Sequence, residues 1–286
     1  MRIRPVPYLY LAPFIAAYLL FWLIPLVQGF LLSLQSNTLF GESEFIGFSH
    51  YLNLLSDSRF FHALQNTVLY ALAIICTIIP FSLLLAHLLS RTFTKIKGII
   101  GFCLLLPGLT PPTVLAYLFL LIFIGRYGIL NNLITIPLGF PKIDWIGDPR
   151  FIKISLIIQA LWRWSGFITF FLLSGLEGIP KTYYDIAKAE GAGSWQTFWH
   201  ITLPCLKNIL IFVCIFMLLD AFVLFEGAYV LLGSSGGAGD AALLLVGYTY
   251  QTAFSHGHFG TSAAMSFSIV PILMLFVWIF LFGKRK

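Results

Sequence analysis

Apolar runs alternate with short polar stretches along almost the whole chain, at about 8–34, 60–89, 98–124, 151–176, 205–232 and 259–282. A helix needs about 20 apolar residues to cross a hydrocarbon core of about 30 Å, and each run exceeds that. The pattern predicts an all-α polytopic membrane protein with six transmembrane helices in a single domain, 1–286. Pro13 and Pro25 should bend the first span. Pro107, Pro111 and Pro112 in LLPGLTPPTV remove three backbone donors from the third, which must kink or break beside protein or water. The segment from Leu243 to Phe254 is too short to span and reads as an outer or re-entrant piece, and GRYGILNNLI reads as an interfacial helix before the polar turn DWIGDP.

One polar island interrupts the pattern at 177–204, with the sequence PKTYYDIAKAEGAGSWQTFWHITLP from Pro180 to Pro204. Thr182 can cap a helix whose third residue is Asp185, and Gly191 supplies the left-handed residue that stops it. Ser194 then caps a second short helix ended by Pro204. Ile186, Ala187 and Ala189 are small or apolar enough to be buried. The result is an elbow about one helix diameter wide, a shape that fits a groove on a partner.

Composition adds little to class but decides orientation. Of the 286 residues, 59% are hydrophobic and 10% charged, against roughly 25% charged in an average soluble domain. The formal charge of +6 lies in short clusters beside the spans, where it orients them, and not in a surface for nucleic acid. With both termini and the elbow inside, eleven of the seventeen Lys and Arg are internal: Arg2, Arg4, Arg91, Lys95, Lys97, Lys181, Lys188, Lys207, Lys284, Arg285 and Lys286. Arg59, Arg126, Lys142, Arg150 and Lys153 are external and Arg163 is within span four. This bias predicts an N-in, C-in chain with Ser43 outside and Ser194 inside. The basic start and the run from Tyr8 to Val27 resemble a signal peptide, but the run is too long and no A-x-A site follows, so it reads as the first span.

Candidate chemistry narrows the function. Cys76, Cys103, Cys205 and Cys214 are scattered packing residues, and His256 and His258 lack a third ligand, so no metal site is read. The Gly-rich GSSGGAGD has no accompanying G-x-x-x-x-G-K-[ST], and neither H-E-x-x-H nor G-x-S-x-G occurs, so neither a nucleotide site nor a catalytic residue is read. Transport requires only polar groups at membrane depth and a source of free energy to alternate access.

Asp185, Ile186 and Ala187, followed after three residues by Gly191 and after nine more by Ile201, Leu203 and Pro204, resemble the "EAA" loop of permease subunits of binding-protein-dependent ABC importers. Asp185 stands where that family usually has Glu, and Ile186 where it usually has Ala. The resemblance extends through YLNLLSDSRFFHALQNTVLY, LLPGLTPPTV, LWRWSGF, FVLFEGAYVLLGSSGG, YTYQTAF and GTSAAMSF, which are similar to the carbohydrate branch, the maltose and glycerol-phosphate type permeases. Around Gly236 the family tends to have Gly-Gly-Pro where this chain has Gly-Gly-Ala.

The resemblance implies a type I importer permease in the cytoplasmic (inner) membrane of a prokaryote. Its implied partners are membrane lipid, a second homologous permease, two ATPase subunits that hold the ATP and Mg, and an extracytoplasmic solute-binding protein. It also implies that Tyr184, Asp185, Ile186, Ala187, Ala189, Glu190, Gly191, Ile201, Leu203 and Pro204 meet the ATPase.

Candidate path residues are Asn66, Gln159, Trp162, Arg163, Trp164, Asp220, Glu226 and Tyr229. Counting inward from Phe151 and upward from Cys205 places Arg163 and Asp220 roughly 10 Å apart in height, so separate roles are expected. The mixture of hydroxyl, amide and aromatic groups suits a neutral, hydroxyl-rich solute such as a sugar or polyol, whereas Asp220 and Glu226 would repel glycerol phosphate unless protonated or paired. Two other classes stay open: a proton-coupled secondary transporter using Asp220 and Glu226, and a membrane-embedded enzyme or assembly factor.

Overall fold

The computed structural model describes residues 6–36, 44–90, 94–125, 127–233 and 235–282. The expectations for Arg2, Arg4, Ser43, Arg91, Arg126, Lys284, Arg285 and Lys286 lie outside the described residues, as does that for the side chain of Lys95. Among the described residues the structure is helical, with one isolated antiparallel bridge, Gln35 to Phe45. Among the described residues, four helices are long and apolar enough to cross a membrane, Tyr10–Ser33, Ser58–Ser90, Ile152–Glu177 and Phe259–Phe282. Two further pairs pass the same test of length and composition when each is taken as one span, which brings the number to six: Lys97–Leu109 with Pro112–Phe123, bent by 97°, and Ser194–Cys205, the second arm of the elbow, with Lys207–Val223, bent by 69°.

The chain forms two compact units, Met1–Phe60 with Tyr248–Met274, and Phe61–Gly247 with Leu275–Lys286. In the first, α1 (Val6–Tyr18) and α2 (Ile24–Ser33) are joined through a π turn at Leu19–Leu23. There the Ile24 N–H reaches back five residues to Leu19, an extra residue that makes room for the ring of Pro25 one position later. Helix α3 (Ser49–Leu54) is fixed by His50, whose Nε2–H donates to the Gln35 carbonyl at 3.0 Å, leaving Nδ1 to accept from Thr261 at 3.2 Å. Asp57 caps α4 (Ser58–Ser90) by accepting the Arg59 and Phe60 N–H groups through one oxygen, and takes the Tyr248 hydroxyl on the other at 2.8 Å.

In the second unit α5 (Thr94–Leu109) ends at the Thr110–Pro111 break, and α6 (Pro112–Phe123) restarts with proline at its first position. The break falls within the predicted LLPGLTPPTV. Helix α7 (Ile152–Glu177) packs along α5 at Gly166, where an added Cβ would collide with the backbone carbonyl of Leu104. Close approach through a small residue is how membrane helices gain packing, since lipid offers no hydrophobic force to drive them together. Gly166→Ala should therefore cost about 1–3 kcal/mol through overpacking, read as a lower unfolding midpoint in detergent. Gly98→Ala, with nothing within 4 Å, is the control and should not lower it. Equal midpoints for the two variants would contradict the contact.

In the loop before α7, residues 129–135 are helical, where a helix is expected from GRYGILNNLI. The loop contains a π turn at Asn131–Thr135 whose first residue is fully buried. Asn131 donates to the Gly125 and Ile143 carbonyls at 2.9 and 2.7 Å and accepts from the Ile143 N–H and the Trp145 indole at 3.2 and 3.1 Å. All four of its hydrogen-bonding sites are used, so the loop folds around it. In the DWIGDP turn the Arg150 guanidinium donates to Asp148 and holds that carboxyl below its ordinary range.

Candidate functional site: an elbow and a buried polar cavity

The elbow begins where Pro180 ends the chain's run out of α7 and sits as the N-cap of α8 (Lys181–Ala189). Thr182 is therefore inside the first turn and not the cap, because proline's fixed φ already starts the helix. At the other end Gly191 has φ +79°, its N–H bonds the Lys188 carbonyl at 3.1 Å, and the Ala192 N–H bonds the Ala187 carbonyl at 2.9 Å. These paired bonds close a Schellman turn, which needs a left-handed residue at this place. Gly193, one residue earlier than Ser194, caps the second arm, with its N–H donated to Gln196 Oε1 at 3.0 Å.

This arm runs from α9 (Ser194–Thr197) through a π turn at Phe198–Thr202 into α10 (Leu203–Cys205). Pro204 does not end it. Placed in the first turn of α10, its missing donor costs nothing, and the chain bends at the buried Leu206 before α11 (Lys207–Val223).

The two arms are tied by the Tyr184 and Thr202 hydroxyls, 3.1 Å apart, with Ala187 buried beneath. Ile186 and Ala189 are exposed, contrary to expectation, because Tyr184 and Ala187 take the inward face of α8 and place Tyr183, Ile186 and Glu190 on another stripe. Asp185 and Pro204 are exposed, and Ile201 and Leu203 are half-buried. Trp195, Phe198 and Trp199 pack on one another with both indoles outward. Behind the elbow, Lys97 pairs with Glu177 and ties α5 to the end of α7.

The second feature is a cavity between the apolar helices α4, α6, α7 and α11, lined by Tyr70, Pro112, Gln159, Arg163, Trp164, Asp220 and Gly227 among others. The Trp164 indole donates to Asp220 Oδ2 at 2.9 Å, and the Arg163 guanidinium lies 4.7 Å from the Trp164 ring centroid without an ion pair to Asp220. Arg163 Nε and Gln159 Nε2 are buried donors with no protein partner. Leaving such groups unpaired costs about 1–3 kcal/mol each, so the cavity holds unused hydrogen-bonding capacity beside a negative group.

Arg163 and Asp220 thus share one cavity instead of sitting at different heights. The outer-face count failed because α7 has 26 residues and outruns the hydrocarbon core. Counted from the elbow, Arg163 lies fourteen residues before Glu177 and Asp220 thirteen after Lys207, about 20 Å along each helix.

Other candidates are placed elsewhere. Helix α11 ends at Val223, so Glu226 opens a separate short helix, α12 (Glu226–Leu232), and is exposed outside the cavity. Tyr229 packs on Phe225 at 5.1 Å and lines a different, apolar cavity with Leu224, Ala228 and Leu243. Trp162 points away, edge-on to Phe119 at 5.8 Å. Asn66 is a structural clamp that donates to the Asp240 and Leu243 carbonyls, both at 3.2 Å, while its neighbour Thr67 accepts from the Leu245 N–H. Sequence reasoning missed Tyr70, a lone hydroxyl in an apolar run. It also missed the Phe167, Phe171, Phe212 and Phe216 rings beside the cavity, although their four-residue spacing marks one face on each of two helices.

Residues 78–285 match the family of binding-protein-dependent transport system inner membrane components. The chain is 34% identical over 272 residues to the arabinooligosaccharides transport system permease protein AraP of Bacillus subtilis, covering 95% of this chain and 86% of that one. It is 31% identical over 282 residues to the lactose transport system permease protein LacF of Rhizobium radiobacter, covering 98% and 94%. A bacterial ABC transporter involved in the import of the acidic polysaccharide alginate has a chain that superposes with a TM-score of 0.82 at 21% identity, over 98% of this chain and 95% of that chain. At this identity the likeness concerns the fold.

Proposed function

The chain belongs to the family of binding-protein-dependent transport system inner membrane components, and on that premise we propose that it carries a neutral oligosaccharide inward through the cytoplasmic membrane of a prokaryote. It is a multi-pass, non-enzymatic permease subunit with the fold of a type I ABC importer. ATP and Mg are held by two separate ATPase subunits, and a second, homologous permease forms the other half of the path. An extracytoplasmic solute-binding protein delivers the solute, as the alginate transporter of similar fold is seen in complex with an alginate pentasaccharide-bound periplasmic protein.

The observation that carries this reading is the Schellman-turned elbow, which presents Tyr183 and Ile186 outward on a helix braced against its own return arm. A closed hydrogen-bonded turn transmits displacement better than a loose loop would, and exposed apolar side chains suit a docking groove on an ATPase. The saccharide class is supported by the names of AraP and LacF and by the cavity's unpaired donors near Asp220. A proton-coupled carrier using Asp220 with Glu226 is disfavoured, since only Asp220 lines the cavity.

Reconstituted with its partners, the complex should show oligosaccharide-stimulated ATP hydrolysis that the permease lacks when purified alone. Uptake driven by a proton gradient without ATP would overturn the assignment. The orientation is checked by single cysteines in a background lacking the native four. In intact cells an impermeant maleimide should label Ser43→Cys and spare Ser194→Cys until the membrane is permeabilised, and the opposite pattern would invert the map.

A further inference from the structure

Five aromatic rings on α7 and α11 form a continuous ladder that runs from the cavity toward the elbow. Trp164 packs on Phe167 and Phe216 with ring centroids 5.8 and 5.1 Å apart. Phe167 packs on Phe171 at 5.0 Å and on Phe216 at 5.4 Å, and Phe171 packs on Phe212 at 5.1 Å. The ladder starts at the indole bonded to Asp220 and ends six residues before Glu177 on α7 and five after Lys207 on α11. From Trp164 to Phe171 it covers about 10 Å along the helix.

Core packing does not account for these positions. Ile168 and Leu172 on α7, and Val213 and Met217 on α11, are fully buried and supply the contact between helices and neighbours. Phe167, Phe171 and Phe216 are half-buried and Phe212 is 47% exposed, so this chain alone does not enclose the rings.

We propose that this ladder is a stacking track on which sugar rings move from the Trp164–Asp220 cavity toward the elbow end of the path. The proposal rests on the reading of the solute as a saccharide. A sugar ring has one face of polarised C–H groups and a hydroxyl edge. The negative face of an aromatic ring attracts the former, and the adjoining donors and carboxylate satisfy the latter. Successive rings of one kind offer repeated weak sites, which favour entry without trapping, as conduction through any multi-site path requires. A lipid chain or an apolar partner helix would be served equally well by leucine, and that difference supplies the test.

In the assembled complex, with its solute-binding protein in proteoliposomes, Phe171→Leu/Phe212→Leu should lower uptake of arabino-oligosaccharides of two to four units, by about fivefold for each ring lost. The loss should grow with the number of units. Phe171→Tyr/Phe212→Tyr, which keeps the ring faces, should restore uptake, and the second permease should co-purify with every variant in normal yield. Unchanged uptake in the leucine variant, while the unmodified complex transports these sugars, would overturn the track and leave the saccharide reading standing. Loss of the second permease from the leucine variant would make the ladder a subunit interface and overturn it too. If the unmodified complex takes up none of them, the saccharide reading fails, and the track fails with it.

Discussion

Replacing Gly191 with proline should uncouple solute uptake from ATP hydrolysis in the assembled complex. The Gly191 φ of +79° lies where a proline ring cannot go, and the substitution also removes the N–H that bonds the Lys188 carbonyl. The Schellman turn must open, so the Tyr184 and Thr202 hydroxyls no longer hold the arms at their present angle. A proline against helical geometry costs about 3 kcal/mol or more, which is roughly a hundredfold in the population of the correctly aimed elbow at 1.4 kcal/mol per tenfold.

Gly191→Ala separates geometry from bulk. No atom lies within 4 Å of an added Cβ, so alanine pays only the left-handed backbone cost of about 1–2 kcal/mol. Uptake should fall in the order glycine, alanine, proline, with both variants still co-purifying with the ATPases. Normal solute-stimulated hydrolysis and uptake in Gly191→Pro would show that the elbow does not transmit force.

The elbow was legible because its signals are local. A left-handed residue must be glycine or nearly so, and the spacing from Gly191 to Leu203 places one helical arm on each side of it. What could not be read was which face of α8 turns inward, since that depends on Thr202 returning beneath Tyr184 after the turn. The same boundary separates success from failure in the spans. Apolar length picked out the four helices that are long and apolar enough to cross a membrane, and the prolines of LLPGLTPPTV marked the Thr110–Pro111 break.

The end of α11 at Val223 has no proline or glycine to announce it, so Glu226 was expected on the same helix as Asp220. Asn66 illustrates the remaining limit. A polar residue in an apolar span signals only that it needs partners, and here the partners are carbonyls more than 170 residues away, on a loop it fastens down.

Asp220→Asn should impair transport strongly and Glu226→Gln hardly at all, although both replace a carboxylate by an amide of the same size. The amide oxygen that Asp220→Asn introduces can still accept the Trp164 indole hydrogen bond, so packing between α7 and α11 survives. What disappears is the negative charge in a cavity that also contains Arg163, leaving that cation without the one carboxylate among the cavity's lining residues. At membrane depth an uncompensated cation is costly, and it should draw other acceptors toward Arg163 and its neighbour Gln159, whose buried donors are otherwise available to solute hydroxyls. Hydrogen bonds to a charged group contribute about 1.5–3 kcal/mol, so losing one from the path should reduce uptake by roughly ten- to a hundredfold.

Glu226 is exposed at the start of α12 and lines neither cavity, so its neutralisation changes no interaction made within the path. Arg163→Met should reproduce the defect of Asp220→Asn, and the double variant should be less impaired than the two losses combined, because removing both charges leaves neither unbalanced. The measurement is uptake and solute-stimulated ATP hydrolysis in complexes of verified composition. Unchanged kinetics in Asp220→Asn would leave the carboxylate as scaffold for Trp164 and take it out of the path. Equal defects in Asp220→Asn and Glu226→Gln would show instead that the path runs by α12.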